Sequence, residues 1–299
     1  MTVPAPTGNA AFDAARAEGV IDTFLAMPSE REVQVRKYDS IRELAMDADT
    51  QTMEMPAEYM FKDVPHYDDL PDPVAEVLRL MDAHGIATML SHIDGDECRL
   101  RPDRFRGMFH VDPNQGMDAV RALEAAVVER GAIAAHTWGT GANPQVPIND
   151  KKMYPLYAKC VELGIPMVLY VGVPGPRILM SSQEVAQLDE VCWFFPELTI
   201  VTRHGGEPWE DLMVKLMLKW PNLYYSTSAF APKHYPKAII DYANTRGADK
   251  IMYAGYYPMG LSLERIFSEM PNVGFRDHVW PKFLRENAAR VLGIEAALA

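Results

Sequence analysis

The sequence predicts an α/β protein, a closed (β/α)8 barrel, and three observations carry that expectation. Short β-branched runs alternate with amphipathic stretches of helical period, the pattern of repeated βα units. Eight such runs occur, and no linker or shift of composition divides them. The chain has 299 residues, about right for one barrel of roughly 250 residues and long for one sandwich.

The strands are expected at about 19–25 (GVIDTFL), 85–92 (GIATMLSH), 106–112 (RGMFHVD) and 131–138 (GAIAAHTW). Four more follow at about 165–172 (IPMVLYVG), 198–204 (LTIVTRH), 222–228 (NLYYSTS) and 250–255 (KIMYAG). Helices fill the spaces. PDPVAEVLRLMDAHG opens at an Asp-Pro cap and stops at a glycine, and MDAVRALEAAVVERG also stops at a glycine. LYAKCVELG, SQEVAQLDEVCWFF and EDLMVKLMLKW share the same apolar spacing. The whole chain, 1–299, reads as one barrel domain with one interruption. At about 40–75 a stretch rich in Pro, Met, Tyr and acids lies between the first two strands. A βα insertion of this kind sits over the C-terminal mouth, as a self-packed loop, a lid or part of a dimer contact.

Composition excludes several classes of function. A formal net charge of -12 argues against a nucleic-acid groove, which needs clustered Lys and Arg. No apolar run is long enough to cross a bilayer, and the first residues lack the basic and apolar regions of a signal peptide. Cys98, Cys160 and Cys192 are widely spaced and read as small buried hydrophobes in a reducing compartment. The expectation is a cytoplasmic protein acting on a small molecule.

In a barrel every C-terminal strand end points into one mouth, so polar residues there carry most weight. They are Asp22, His92, His136, Tyr170, His204 and Tyr256, with Arg177, Arg203 and Glu207 in or beside the loops that follow. Each also has a structural reading. His92 and His110 can be core histidines, and Arg203, alternating with His204, can face the helical layer and pair with an acid. Trp209 and Glu210 read as the packed and acidic start of a helix. The HIDGDE run lacks the twelve-residue pattern of a calcium loop.

VIDTFLAMP, GIPMVLYVGVPGP, FPELTIVTRHGGEPWEDLMVKLMLKWPNLYYSTSAF, DKIMYAGYYP and FLRENAARVLGI, in that order, resemble the amidohydrolase superfamily. The branch is the amidohydrolase-2 group, which includes aminocarboxymuconate-semialdehyde decarboxylase and related carboxy-lyases and hydrolases. The resemblance runs from about 19 to 295 and is strongest from 154 to 294. It implies a TIM barrel of the distorted amidohydrolase type, and by analogy a homodimer.

The chain departs from the family where the resemblance implies metal ligands. The family's first strand reads I-D-x-H-x-H, but here Phe24 and Ala26 hold the histidine positions, and the first histidine of the chain is His66. Tyr170 stands for the fifth-strand histidine and Tyr256 for the eighth-strand aspartate, leaving His204 alone. A catalytic zinc needs about three protein ligands and an open position. The expectation is therefore no metal and no other cofactor.

The losses leave a pocket. The first reading is a metal-independent hydrolase acting on an ester, lactone or C–C bond of a small cyclic or aromatic carboxylated substrate. His204 and His136 would serve as acid and base, and Tyr170 and Tyr256 as donors to an oxyanion. Arg177 or Arg203 would clamp the carboxylate, with Phe24 and Trp138 lining the pocket. Decarboxylation of a similar substrate is the alternative. A third reading is a non-catalytic barrel that binds a ligand or partner, for which 13 tyrosines and 18 methionines are suited.

Overall fold

Each of the eight apolar runs becomes a strand in the computed structural model, which describes residues 5–55, 57–60, 67–259 and 261–294. They are β1 (Val20–Asp22), β2 (Ile86–His92), β3 (Phe105–His110), β4 (Ala134–Thr137), β5 (Met167–Tyr170), β6 (Ile200–Arg203), β7 (Leu223–Ser226) and β8 (Ile251–Met252). All neighbours are parallel and the order is sequential from β1 to β8. Parallel strands need crossovers, and the helices supply them. The helix at Pro73–His84 is capped by Asp72, whose side chain accepts the Ala75 amide, and Gly85 ends it at a φ of 72°.

Alternation along the strands sorts side chains between two cores. Ile21, Leu90, Met108, Ala134, Val168, Val201 and Met252 fill the barrel lumen, and Ala288, Leu292 and Ile294 from the C-terminal segment pack with them. The opposite set, including Val20, Met89, Ala135, Leu169, Ile200 and Tyr225, joins the larger core shared with the helices. Cys160 and Cys192 are buried in that core, and all three cysteines are free.

β1 and β8 are shorter than the sequence suggests, and Asp22 is the reason. Its Oδ1 accepts the amides of Phe24 at 3.0 Å and Gly255 at 2.8 Å, taking the place of ladder carbonyls where the strands end. Backbone bonds then join the two segments beyond: Thr23 to Tyr253 (3.2 Å), Tyr256 to Phe24 (3.1 Å) and Ala26 to Tyr257 (2.9 Å). The expected helix over 182–195 is also reduced, to Gln187–Phe194. Gln183 is drawn out of it, donating to the Gly172 carbonyl at 2.7 Å and accepting the Trp138 indole at 3.1 Å.

After β1 the chain forms three short helices, Arg31–Arg36, Asp39–Leu44 and Ala48–Thr52. The middle of the expected insertion, residues 61–66 together with Pro56, lies outside the described residues. On either side of Pro56, Met55 and Ala57 pack with Ala26, Tyr256 and Met259.

Candidate active site

One step beyond the lumen layer, the same alternation brings up a polar layer. His92 follows Leu90 by two residues, His110 follows Met108, His136 follows Ala134, Tyr170 follows Val168 and Arg203 follows Val201. Arg203 therefore does not face the helices, and the expectation that it might pair there with an acid fails. It shares the inward side with Val201. His204 should then point outward, but its φ of 63° breaks the alternation, and Gly205 and Gly206 continue the left-handed turn at 77° and 72°. A Cβ on Gly205 would lie 2.6 Å from the Phe230 ring, so the turn also needs the missing side chain. Two consecutive residues, Arg203 and His204, thus join one cluster around Phe24.

The rings at the strand ends meet. Phe24 stacks on Tyr256 with centroids 4.8 Å apart and lies 6.0 Å from His204 and 6.3 Å from Tyr170. His204 stands 4.8 Å from Tyr170 and 4.9 Å from Tyr256, and Trp138 borders Tyr170 at 5.9 Å. Tyr256 is held there by a left-handed φ of 58°, a costly conformation for an aromatic residue and one that clusters at functional sites.

Arg203 lies beneath this slot. Its guanidinium carbon is 3.6 Å from the Phe24 centroid, and it donates to the Thr23 carbonyl (3.1 Å), Met108 Sδ (3.2 Å) and Tyr170 Oη (3.4 Å). The residue is 1% exposed. Among the described residues no carboxylate comes within salt-bridge distance of it. A buried cation held by a ring, a carbonyl and a thioether is poorly compensated.

That charge governs its neighbours. Burial first, and then Arg203, pushes His204 down to about 3, against the pull of Ser228. His204 Nδ1 and Ser228 Oγ are 3.0 Å apart, and the same Oγ accepts the His204 amide at 3.0 Å. The low value keeps the imidazole neutral, with one ring nitrogen held against Ser228. His136 is likewise held well below its ordinary value by burial and by Arg203. Burial keeps the Tyr256 phenol well above its ordinary range, so it remains a proton donor in hydrogen bonds. Asp22 is pushed up to about 7 by burial, against the pull of the Gly255 and Phe24 amides, the Tyr253 hydroxyl and Arg203.

The expected site residues thus divide. His204, Tyr170, Tyr256, Phe24, Trp138 and Arg203 come together, and His136 is close enough to Arg203 to feel its charge. Arg177 is engaged elsewhere. Its guanidinium binds Asp47 at 3.2 Å and Asp49 at 3.6 Å and lies over Tyr59 at 5.0 Å, tying the loop after β5 to the segment after β1. Glu207 is exposed. Sequence reasoning missed Ser228, whose signal was its inward parity with Tyr224 and Ser226. It also undervalued Asp22, which orders the slot from behind.

Residues 46–294 match the Amidohydrolase family. The chain belongs to that family. The match begins downstream of β1 and of the segment just after it, where Phe24 and Ala26 replace the expected histidines. No curated protein matches the chain. Among solved structures, an uncharacterized TIM-barrel protein from Bordetella bronchiseptica is 21% identical, with 92% of this chain and 98% of that one covered at a TM-score of 0.69. A 5-carboxyvanillate decarboxylase from Novosphingobium aromaticivorans, complexed with manganese and a nitrobenzoic acid, is 18% identical over 98% and 100% at 0.69. A 2,6-dihydroxybenzoate decarboxylase from Rhizobium is 17% identical over 93% and 99% at 0.61.

The residues of this family member do not fit the metal that its family resemblance implies. Phe24 and Ala26 offer no donor atoms. Tyr170 Oη accepts a hydrogen bond from Arg203, and His204 Nδ1 is engaged by Ser228, so a single Nε2 remains at these positions. The Arg203 guanidinium among these positions would repel a cation. Among the described residues, no group of three His, Cys, Asp or Glu side chains is placed to hold a metal ion.

Proposed function

We propose that this amidohydrolase-family protein is a carboxy-lyase that removes the carboxylate of a small aromatic or cyclic acid without a metal. The observation that carries the reading is the buried cation of Arg203, with no salt-bridge partner among the described residues, beneath the cluster of Phe24, Tyr170, Tyr256 and His204. An aromatic anion suits both halves: its ring packs against the slot and its charge answers the guanidinium. Two of the similar structures are decarboxylases of aromatic acids, which favours this reaction over the hydrolysis expected from the sequence.

The chemistry follows from the charges. An anion entering the slot raises His204, because a nearby negative charge favours the imidazolium. Protonated His204 delivers Nε2–H to the ring carbon that bears the carboxylate. The carbon–carboxylate bond then breaks, its electron pair restores the ring, and carbon dioxide leaves. One proton enters and one carbon dioxide departs per turnover, with no oxidant or reductant. Tyr256 and Tyr170 donate to a ring oxygen, which gives up electron density as the carbon is protonated and regains it as carbon dioxide leaves. A cap formed by the segment after β1 would keep bulk water from this step, and the packing of Met55 and Ala57 against Ala26 and Tyr256 supports that role.

The test is a panel of benzoic and hydroxybenzoic acids, lactones and cyclic diketones, followed by carbon dioxide release and by chromatography of the ring product. Release from an aromatic acid, falling by about 10²-fold or more in His204→Asn, is the expected result. Hydrolysis of a lactone or diketone with no carbon dioxide from any acid would overturn it.

A further inference from the structure

The three short helices after β1 are tied into one body. Arg42 donates to the carbonyls of Val35 (2.9 Å), Met53 (2.9 Å) and Glu54 (2.7 Å), so one guanidinium holds residues 31–55 together. At its rim this body meets the barrel through polar, largely exposed contacts. Arg177 pairs with Asp47 and Asp49, and Asn143 donates to Glu43 at 3.4 Å. Just beyond the body, the Tyr59 hydroxyl donates to the Gly175 carbonyl.

The inner contacts are poorly satisfied. Gln34 is buried, yet its Nε2 reaches only Met259 Sδ, at 3.8 Å, and its Oε1 has no hydrogen-bond partner among the described residues. Tyr38, four residues on, donates to the same sulfur at 3.8 Å and packs with Ala26, Met259 and Tyr256. A thioether is a weak acceptor, and a buried amide oxygen without a donor gives up its hydration for nothing in return. Met259 donates its amide to the Tyr256 carbonyl at 2.9 Å, so these contacts reach the residue stacked on Phe24. Apolar packing of Met55 and Ala57 draws the body shut, and the Gln34 amide opposes it.

We propose that residues 31–55 are a gate to the Phe24–Tyr256 cluster, latched by Arg177 on Asp47 and Asp49 and kept ready to open by the buried amide oxygen of Gln34. Exposed ion pairs hold weakly, which suits a latch released at each turnover. Opening returns Gln34 and Tyr38 to water, where their polar atoms find full partners. The part of the gate in substrate exchange rests on the carboxy-lyase reading; its opening does not.

Ala57→Cys in the full-length protein carries the test. Ala57 is 4% exposed, so a thiol there reacts with iodoacetamide when the gate opens, and mass spectrometry separates it from Cys98, Cys160 and Cys192. Adding Arg177→Met should speed this labelling by about threefold or more. Adding Gln34→Met, which replaces the amide by an apolar side chain of similar length, should slow it by about fivefold or more. Labelling of Cys98 should stay unchanged in both, which excludes general loosening of the barrel. On- and off-rates of benzoate, read by the fluorescence of Trp138 beside Tyr170, should move in the same directions as the labelling. Labelling that is unchanged in both variants, or shifts the same way in both, would overturn the gate. Opposite shifts in a protein that neither binds benzoate nor releases carbon dioxide from any acid would sink the carboxy-lyase reading alone. Carbon dioxide release with labelling unmoved by either substitution would sink the gate alone.

Discussion

The guanidinium of Arg203 packs face-on beneath the ring of Phe24, 3.6 Å from its centroid, where the family resemblance places a metal-ligating histidine. A positive charge thus remains near the place of the lost cation, but it belongs to the protein. Phe24 covers this charge, and Tyr256 stacks on Phe24 with centroids 4.8 Å apart.

Replacing Arg203 by methionine tests that arrangement. A buried charge without an ion pair contributes little net stability, so the melting temperature of Arg203→Met should hold or rise. Affinity for benzoate should fall by about tenfold or more, since a desolvated cation attracts an anion strongly. Calorimetry and thermal unfolding on one preparation read both quantities. A melting temperature that collapses together with affinity would make Arg203 a fold residue.

Ser228 positions His204 through two contacts, one to the ring and one to the amide. Ser228→Ala should cost about 1–3 kcal/mol, measured by denaturant unfolding, because both partners stay buried. Turnover should fall as the imidazole loses the partner that orients it. Ser228→Thr, which keeps the hydroxyl, should recover part of that loss.

Asp22 and His204 give stability opposite pH dependences. Asp22 is raised from 3.8 to about 7 in the folded state, so the folded chain binds the extra proton and stability falls as pH rises from about 4 to 7. His204 is lowered from 6.5 to about 3, so its contribution is complete above 6.5 and is lost as pH falls toward 3. Asp22→Asn keeps an oxygen for the Phe24 and Gly255 amides but cannot titrate. Unfolding free energies from pH 4 to 8 should rise more steeply with pH in that variant than in the native chain, and parallel curves would count against the raised carboxyl.

Chelation offers an independent check on the donor set. Prolonged treatment with EDTA should leave the melting temperature unchanged, and added manganese or zinc should not raise it, because the one imidazole nitrogen left at the expected ligand positions cannot hold such an ion. A shift of several degrees restored by one equivalent of metal would contradict this.

The sequence alone determined the barrel. Eight apolar runs with period two, separated by helices with glycine and aspartate punctuation, leave few other ways to bury both faces of a parallel sheet. It also placed Phe24, Tyr170, His204 and Tyr256 at strand ends. Tertiary structure decided which of these share a cavity. Alternation assigned Arg203 and His204 to opposite sides, and only the left-handed turn at His204 brings both into the mouth. Arg177 and Arg203 look equivalent as carboxylate clamps until one is found bound to Asp47 and Asp49 and the other sealed under Phe24. The distinction lies in desolvation and in long-range partners such as Ser228, 24 residues further along the chain, which no local pattern encodes.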